Sequence, residues 1–485
     1  MSIEVKFGPW LPDETDHKNP GLEECLNAIP GPNGYQPSFG PGSAVADVGA
    51  TVLSAKMFER SDGTRVVVCA TAGDLHVIIS GTVTSSSLSL TLTEPVQFER
   101  FGDEVYATNK SGTWRLADID VSTTFAAVGW TIPDGLAMAR IGEFLFMGNL
   151  TDTDTSDAPY RIRWSPFNSP AGTWAGNIGT QSGAVDMPTK YGPVVALAGG
   201  TWGLVFQKYA ISRISYTGGA QVFAKTIVDP DRGCAAAFSV AQVGDTAYFM
   251  SHDGFFGTTG GPAEAISRGR VWQWFLDNSS QTYLADVSAS VDWPNRCVNW
   301  TVMGSTGQVT GLLHYNWETG NWGRSVVMAD CFMATGVDGV SLETLAVTYP
   351  DMDAMPVSLD SPEFLARGRV LGAFVGGEYR LMNGQPLAAS FGSGEFQPIT
   401  GKRSFVRSVT PIVTNPDENT TVSIGGRDTM TSTVTYVPDV ATGPLGFAPL
   451  EFDARYFRVS IDVPANVAWR DAYGFHIDID PSGDL

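Results

Sequence analysis

Few residues of this chain are spaced for catalysis. The chain contains no G-x-x-x-x-G-K-[ST] phosphate loop, no H-E-x-x-H zinc motif and no G-x-S-x-G nucleophile elbow. With 51 acidic residues, some carboxylate pair falls at any chosen separation, so the sequence nominates no glycosidase pair. We therefore expect no catalytic residues, no cofactor and no enzymatic activity. The histidines are solitary: His17, His76, His252, His314 and His476.

Two short acidic segments are candidate functional loops. Asp152, Asp154 and Asp157 begin like a calcium loop, but the sixth position is not Gly and Arg163 stands where the bidentate Glu belongs. We predict a solvated loop tip, with a loose divalent-cation site and a pore-facing loop as the alternatives. Asp351 and Asp353 form the second acidic segment. No metal site is predicted.

Composition limits the class of protein. The five cysteines are scattered without a CxxC pair, which is typical of buried free thiols in a protein that is synthesised in a reducing cytoplasm. The N-terminus lacks an apolar signal segment, and the uncharged stretch 191–207 is broken by glycine and proline, so we expect no membrane span. The net charge of −21 argues against a uniformly basic surface that grips duplex DNA.

Hydrophobic alternation with period two predicts an all-β protein. In 457–463 and 475–479 apolar and polar residues alternate, as in strands with one buried face. Asp253-Gly254 is one of several Asp-Gly and Asn-Gly pairs that suit tight hairpins. Short helices are expected only near 19–24, 268–277 and 361–367.

Repeats and composition divide the chain into three parts. Gly-x-Trp occurs at Gly8/Trp10, Gly112/Trp114, Gly172/Trp174, Gly200/Trp202 and Gly320/Trp322. The internal copies are compatible with a degenerate β-propeller of five to seven blades, although turn glycines and strand tryptophans also co-occur by chance. The expected parts are an extended N-terminal arm (1–44), a β-propeller-like region with inserts (45–385) and a C-terminal β-sandwich domain (386–485). The proline-rich arm is expected to dock on another body.

Ten segments, in order along most of the chain, resemble one protein family. They are 7–13 (FGPWLPD), 19–22 (NPGL), 34–37 (GYQP), 231–236 (DRGCAA), 248–255 (YFMSHDGF), 270–275 (RVWQWF), 315–322 (YNWETGNW), 401–406 (GKRSFV), 455–459 (RYFRV) and 469–475 (WRDAYGF). Together they resemble the tail nozzle of short-tailed bacteriophages (podoviruses), also called tail tubular protein B or tail hub.

The resemblance implies a structural virion protein. It implies a propeller body, a homohexameric ring and a central channel through which double-stranded DNA passes without specific binding during ejection. The implied partners are a head-to-tail connector or adaptor ring and tail fibres, and the implied location is the virion tail after synthesis in the host cytoplasm. The two acidic segments become candidates for the channel wall. The matched residues Trp10, Asp253, Gly254, Trp322 and Trp469 are expected to be structural.

Two other functions stay open. One is a tail-associated β-propeller that binds or cleaves glycans, although the nearest matches to sialidase hairpins, 251–254 and 318–322, miss key positions. The other is a cellular propeller that serves as an interaction scaffold. A glycan-release assay separates the first of these from the tail protein, and neighbouring genes separate the second.

Overall fold

The protein is almost entirely β-structure. A computed structural model describes residues 1–17, 19–152, 157–219, 221–336, 369–415 and 417–484. Within these ranges there are 40 strands, one α-helix and two short 3-10 turns. No helix in the described part of the chain is long and apolar enough to cross a membrane.

The first five strands lie in the N-terminal segment. They are β1 (Ser2–Lys6), β2 (Leu22–Leu26), β3 (Ala28–Pro30), β4 (Tyr35–Pro37) and β5 (Ala44–Asp47). Residues 1–44 are thus not the extended arm that their proline content predicts. The prolines lie between strands or in short ones, and the intervening apolar residues are buried against the rest of the protein.

Blades 1 to 4 of a β-propeller follow, each a four-stranded antiparallel sheet. Blade 1 contains β6 (Val52–Glu59), β7 (Arg65–Thr71), β8 (Leu75–Ile79) and β9 (Thr82–Ser85). Blade 2 contains β10 (Gln97–Phe101), β11 (Glu104–Asn109), β12 (Gly112–Leu116) and β13 (Ala126–Ala127). Blade 3 contains β14 (Asp134–Ile141), β15 (Phe144–Thr151), β16 (Ala158–Trp164) and β17 (Gly183–Asp186). Blade 4 contains β18 (Val194–Ala198), β19 (Gly203–Gln207), β20 (Ile211–Tyr216) and β21 (Phe223–Asp229).

Three more blades complete the ring of seven among the described residues. Blade 5 contains β22 (Ala241–Val243), β23 (Thr246–Ser251), β24 (Gly254–Thr258) and β25 (Glu264–Ala265), and α1 (Trp272–Asn278) follows it. Blade 6 contains β26 (Ala289–Asp292), β27 (Cys297–Met303), β28 (Val309–Asn316) and β29 (Trp322–Ser325). Blade 7 contains β30 (Cys331–Gly336), β31 (Arg369–Val375), β32 (Glu378–Leu381) and, from the N-terminal segment, β5.

The N-terminal strand β5 closes the propeller. It pairs antiparallel with β32, so that Ala46 lies opposite Tyr379, and it supplies the outer strand that blade 7 would otherwise lack. The inner strand of blade 7, β30, contacts β6 of blade 1. An apolar cluster that includes Val67, Cys69 and Phe374 fills the junction between these two blades. The ring is therefore fastened by pairing between residues more than 300 positions apart.

The C-terminal strands form two facing sheets. They are β33 (Ala389–Ser393), β34 (Lys402–Val413), β35 (Thr421–Arg427), β36 (Thr435–Tyr436), β37 (Val440–Ala441), β38 (Ala448–Ala454), β39 (Tyr456–Val463) and β40 (Ala472–Asp484). One sheet has the order β2-β33-β39-β35-β36, and the other contains β4-β40-β34-β38 with β1 on β40. Their shared core includes Phe457, Ile461 and Ile477. The all-β fold class, with a propeller body and a β-sandwich-like C-terminal part, is confirmed.

The N-terminal segment also joins the propeller to the sandwich. The sheet of blade 6 continues from β29 through β3 and β4 into β40, which gives one sheet of ten strands in the described part of the chain. Arg324 of β29 pairs with Ala28 of β3, and Tyr35 of β4 pairs with Ala472 of β40. Trp10 is fully buried in the same cluster as strands of blade 6.

The Gly-x-Trp pattern does not mark equivalent positions in the blades. Trp114 lies on the third strand of blade 2, Trp322 begins the fourth strand of blade 6, and Trp202 lies in the turn after the inner strand of blade 4. The Gly-x-Trp tryptophans therefore pack in different ways in different blades. The blades share their strand order but not a common tryptophan position.

The burial of Trp10 predicts that the N-terminal segment stabilises the whole fold. Trp10→Ala should lower the free energy of unfolding by about 3–5 kcal/mol, because it opens a cavity in a closed core. Urea denaturation followed by far-UV circular dichroism measures this. Tyr436→Ala, at a side chain that is 54% exposed, is the control and should change stability by less than about 0.5 kcal/mol. A loss below about 1 kcal/mol for Trp10→Ala would mean that the segment is only loosely attached.

The alternating burial along β39 predicts opposite outcomes for two neighbouring residues. Phe457 is fully buried, whereas Tyr456 is half-buried on the other face. Phe457→Asp should prevent folding or cost several kcal/mol, because it places an unpaired carboxylate in an apolar core. Tyr456→Asp should leave a soluble protein with a thermal midpoint close to that of the wild type. Equal losses in the two variants would contradict this assignment of faces.

Candidate functional site

A central cavity lies where the seven inner strands meet. Its volume is about 900 Å3, and every blade contributes to its lining. Each inner strand is hydrogen-bonded on one side only, so its free edge and the adjoining side chains face the axis. The charged lining residues are Lys56, Glu99 and Arg140. The cavity therefore offers polar groups beside apolar ones, as ligand-binding cavities commonly do.

The polar side chains of this cavity join neighbouring blades. Lys56 Nζ of blade 1 donates to Glu99 Oε2 of blade 2 at 2.8 Å. The Arg140 guanidinium of blade 3 lies 5.1 Å from the centre of the Phe101 ring of blade 2. Gln242 Nε2 of blade 5 donates to the Gly199 carbonyl oxygen of blade 4 at 2.8 Å. These contacts hold the blades in register, and they also preorganise hydrogen-bonding groups around the cavity.

The lining of this cavity carries few charged side chains. Among the described lining residues, Glu99 is the single carboxylate, and Lys56 and Arg140 are the cations. In the described part of the chain, no group of three or more His, Cys, Asp or Glu side chains is placed to hold a metal ion. The chain's excess negative charge is therefore carried elsewhere on its surface.

A buried polar row crosses blade 6. Asn299 Oδ1 lies 2.7 Å from His314 Nδ1, His314 Nε2 contacts Ser325 Oγ, and Ser325 Oγ lies 2.8 Å from Ser38 Oγ of the N-terminal segment. The order Ser325–His314–Asn299 resembles a nucleophile, base and orienting residue. All four side chains are buried, at 4% exposure or less, so a substrate has no access to the hydroxyl in this conformation.

The environment of His314 favours the neutral imidazole. Burial lowers the pKa of His314 to about 3. The neutral ring donates through Nδ1 to the side-chain Oδ1 of Asn299 and accepts at Nε2 from Ser325 Oγ, which satisfies both nitrogen atoms. This arrangement fixes three strands and the N-terminal segment relative to one another, which is a structural role.

The predicted acidic channel loop is wrong at Asp152. The side chain of Asp152 is completely buried, with Oδ2 3.2 Å from Arg161 Nη1 and 3.0 Å from Arg163 Nε. Strand β16 places these two arginines on one face because side chains alternate along a strand, and Asp152 is their counter-ion. Asp157 is exposed and lies 2.6 Å from Lys110 Nζ.

The remaining acidic candidates, Asp154, Asp351 and Asp353, lie outside the described residues.

The three matched tryptophans are buried at junctions. Trp10 Nε1 donates to the Glu23 carbonyl oxygen at 3.1 Å within the N-terminal segment. Trp322 Nε1 donates to the Ile266 carbonyl oxygen at 3.2 Å, which links blade 6 to the segment before α1. Trp469 is 2% exposed, and its ring lies 5.9 Å from that of Phe391 in the sandwich.

Asp253 and Gly254 lie at the turn between β23 and β24. The two turn residues are His252 and Asp253, and Asp253 Oδ2 lies 3.4 Å from Arg268 Nη2. Gly254 begins β24 with a φ of +153°, a conformation that side chains disfavour. Asp253-Gly254 is thus part of the hairpin, but Asp253 is the second turn residue and Gly254 is the first residue of β24. In a two-residue Asp-Gly turn, both residues would lie in the turn itself.

Sequence reasoning missed an aromatic surface on blades 3 and 4, which we call the aromatic cleft. Phe144 forms its base, and the exposed rings of Phe167 and Tyr216 lie 5.5 and 5.7 Å from the Phe144 ring. Phe167 is 52% and Tyr216 48% exposed. One signal was present in the sequence, because residues 164–185 contain no charged residue in a chain that is 17% charged.

Comparisons with known proteins yield structural similarity alone. No family model and no curated protein matches the chain. Virginiamycin B lyase from Staphylococcus aureus is 10% identical, covers 69% of this chain and 95% of its own, and has a TM-score of 0.41. The WD40 domain of Neurospora crassa Pan2 is 7% identical, covers 61% and 89%, and has a TM-score of 0.36. Exo-beta-1,3-galactanase from Phanerochaete chrysosporium is 8% identical, covers 81% and 97%, and has a TM-score of 0.28.

One sequence-based expectation is corrected by these matches. The expectation that the chain is not an enzyme is contradicted, because a lyase and a galactanase stand among the similar structures. We withdraw that expectation. The β-propeller body itself is established by the order of the sheets in this chain.

The neutral, buried His314 predicts a pH-dependent loss of stability. An unfolded chain protonates this histidine below about pH 6.5, whereas the folded chain resists protonation down to about pH 3. The free energy of unfolding should therefore fall with decreasing pH, and His314 should contribute about 2 kcal/mol of the loss between pH 7 and pH 5. Urea denaturation at both pH values measures this in the wild type and in His314→Gln.

The variant should be less stable at pH 7 and lose less stability on acidification. His252→Gln, at an exposed histidine, serves as the control and should follow the wild-type profile. Parallel pH profiles for the wild type and His314→Gln would contradict a neutral His314.

Proposed function

We propose that this protein is a structural subunit of a short viral tail, a tail nozzle or hub. Six copies would form a ring beneath a head-to-tail connector or adaptor ring, with tail fibres as further partners and the virion tail as the location. Before infection the ring would act as a plug or attachment platform, and during ejection it would conduct double-stranded DNA. The ordered sequence resemblance supports this proposal, and the solved structures named above do not bear on it.

The observation that carries the proposal is the continuous sheet between propeller and sandwich. Its strands are linked by main-chain hydrogen bonds from blade 6 through β3 and β4 to β40. Ion pairs reinforce the same junction, because Arg324 Nη2 contacts Glu24 Oε1 and Arg458 Nη1 lies 2.8 Å from Glu23 Oε2. A subunit built in this way transmits force between its two ends without a flexible linker, which suits a tail ring that is under mechanical stress during ejection.

An exposed apolar patch lies beside this junction and fits a subunit contact. Phe39, Val326 and Met328 form the seam patch, at 38%, 53% and 66% exposure. The main-chain nitrogen atoms of Ser38 and Val326 both donate to Asn27, which places the segments that carry these residues side by side. Contiguous exposed apolar residues commonly mark protein–protein contacts.

The net charge bears on how such a ring would behave. Each subunit carries −21, so closing a ring opposes like charges and needs apolar contacts or bound cations to offset the repulsion. The same negative charge would keep the channel wall of such a ring from binding DNA phosphates, because the affinity of a protein for DNA rises with each phosphate that it neutralises. The acidic exterior therefore suits passage of DNA better than its retention.

Immunogold electron microscopy of particles released from a culture that carries this gene tests the proposal. Antibodies against this chain should label the tail tip, and mass spectrometry should detect the chain at about six copies per particle. Absence of the chain from purified particles would overturn the proposal.

Charged substitutions in the seam patch test its role as a subunit contact. The double variant Val326→Asp and Met328→Asp should fold normally but enter particles at least about tenfold less often than the wild type, because it buries carboxylates in the contact. Val121→Asp, at a side chain that is 76% exposed on blade 2, is the matched control and should enter normally. Quantitative mass spectrometry of purified particles measures incorporation, and equal incorporation of all three proteins would rule out the patch.

A glycan-binding or glycan-cleaving propeller is the second candidate function. The aromatic cleft favours it, because exposed rings beside uncharged polar side chains suit the faces of sugar rings. A glycan-release assay on host surface polysaccharide separates cleavage from binding. Turnover would show that the tail role alone is an incomplete description.

A further inference from the structure

The aromatic cleft is built by strand ends that converge on one side of the propeller. Phe144 follows the turn between β14 and β15, Phe167 follows β16, and Tyr216 ends β20. Phe144 is 2% exposed, and its ring also packs edge-on against the buried Phe223, at 5.0 Å. The base of the cleft is therefore fixed by the core between blades 3 and 4, while two rings remain open to solvent.

Uncharged polar residues lie next to the two exposed rings. The Tyr216 hydroxyl donates to Gln181 Oε1 at 3.0 Å, which ties the two walls together. The Gln181 amide nitrogen has no hydrogen-bond partner among the described residues, so it can donate to a ligand. Asn177 and Thr180 lie exposed in the same loop. The cleft thus combines apolar ring faces with amide and hydroxyl groups.

The backbone of this loop is held in an unusual conformation. Asn168 has a φ of +52° and Gln181 a φ of +58°. A positive φ is uncommon for residues other than glycine, and it is more costly for glutamine than for asparagine. Trp164 Nε1 donates to the Gln181 carbonyl oxygen at 2.8 Å and holds the strained residue in place. Strained residues of this kind cluster at binding sites.

Charge distribution limits what the cleft can bind. Residues 164–185, 214–219 and 221–224, which include its two exposed rings, contain no Asp, Glu, Lys or Arg. Glu143, which precedes Phe144, is paired with Arg140 Nη2 at 3.1 Å. Nucleic acids and acidic polysaccharides need cations to neutralise them, and the cleft supplies none from these segments. A neutral ligand also avoids repulsion by a chain of charge −21.

We infer that the aromatic cleft binds a neutral glycan. The apolar faces of two sugar rings would pack on Phe167 and Tyr216, and their hydroxyl groups would bond to Gln181, Asn177 and Thr180. Three exposed apolar side chains, with Ile178 as the third, make too small a surface for a stable protein interface, which needs about 800 Å2 from each partner. The inference deepens the second candidate function and does not depend on the tail proposal.

Binding of the full-length protein to polysaccharides tests this inference. Dextran, mannan, galactan and β-1,3-glucan represent neutral glycans on a microarray, and alginate, hyaluronan and single-stranded DNA represent the charged alternatives. Biolayer interferometry then gives the dissociation constant for the strongest ligand. We expect binding to at least one neutral glycan and none to the charged polymers.

Variants at the two exposed rings assign the binding to the cleft. Phe167→Ala and Tyr216→Ala should each raise the dissociation constant by about tenfold or more. Tyr216→Phe keeps the ring and should raise it by no more than about threefold. Tyr209→Ala is the matched control, because Tyr209 is 47% exposed and precedes β20, at whose other end Tyr216 lies. Circular dichroism confirms the fold of each variant.

Three outcomes would overturn the inference. They are failure of the wild type to bind any neutral glycan, binding confined to the charged polymers, and equal affinity of the wild type and the two alanine variants. Each leaves the tail proposal standing, since particle incorporation tests that proposal separately.

Discussion

The pairing of the N-terminal segment with distant parts of the chain is the constraint on which the rest of the structure depends. Strand β5 closes the propeller by pairing with β32, and β3 and β4 connect blade 6 to β40. Both junctions involve residues separated by more than 280 positions, so their formation orders most of the chain at once. The burial of Trp10 and the row from Asn299 to Ser38 stabilise the same region. The two β units therefore depend on one short segment.

This dependence explains what the sequence could and could not predict. Alternation revealed strands such as β39, and the stretch 268–277 contains most of α1. Residues 19–24 carry good helix-start signals, yet Leu22–Leu26 is a strand because it pairs with β33. Tertiary pairing overrode local preference there. The prediction that residues 1–44 form an extended arm was wrong for the same reason. The strands that pair with this proline-rich segment lie far along the chain, so no local sequence pattern indicates the pairing.

The candidate site was harder to predict than the fold. Asp152 belongs to an acidic run that is typical of a loop, but two arginines on β16 draw its side chain inside. Phe167 and Tyr216 stand 49 positions apart, and both pack on Phe144 only because blades 3 and 4 are neighbours. The absence of charge in 164–185 marked one wall of the cleft, but nothing local identified the other. The residues of a site between two blades depend on which blades are neighbours in the propeller. A pattern along the linear sequence does not show which blades these are.

Differential scanning calorimetry tests most directly whether the N-terminal segment makes propeller and sandwich one cooperative unit. We expect a single unfolding transition for the full chain, with a calorimetric enthalpy that equals the van't Hoff enthalpy. Proteins of this size commonly unfold in several steps, so a single transition would be informative. Two resolved transitions, one for the propeller and one for the sandwich, would contradict the claim that the continuous sheet couples them.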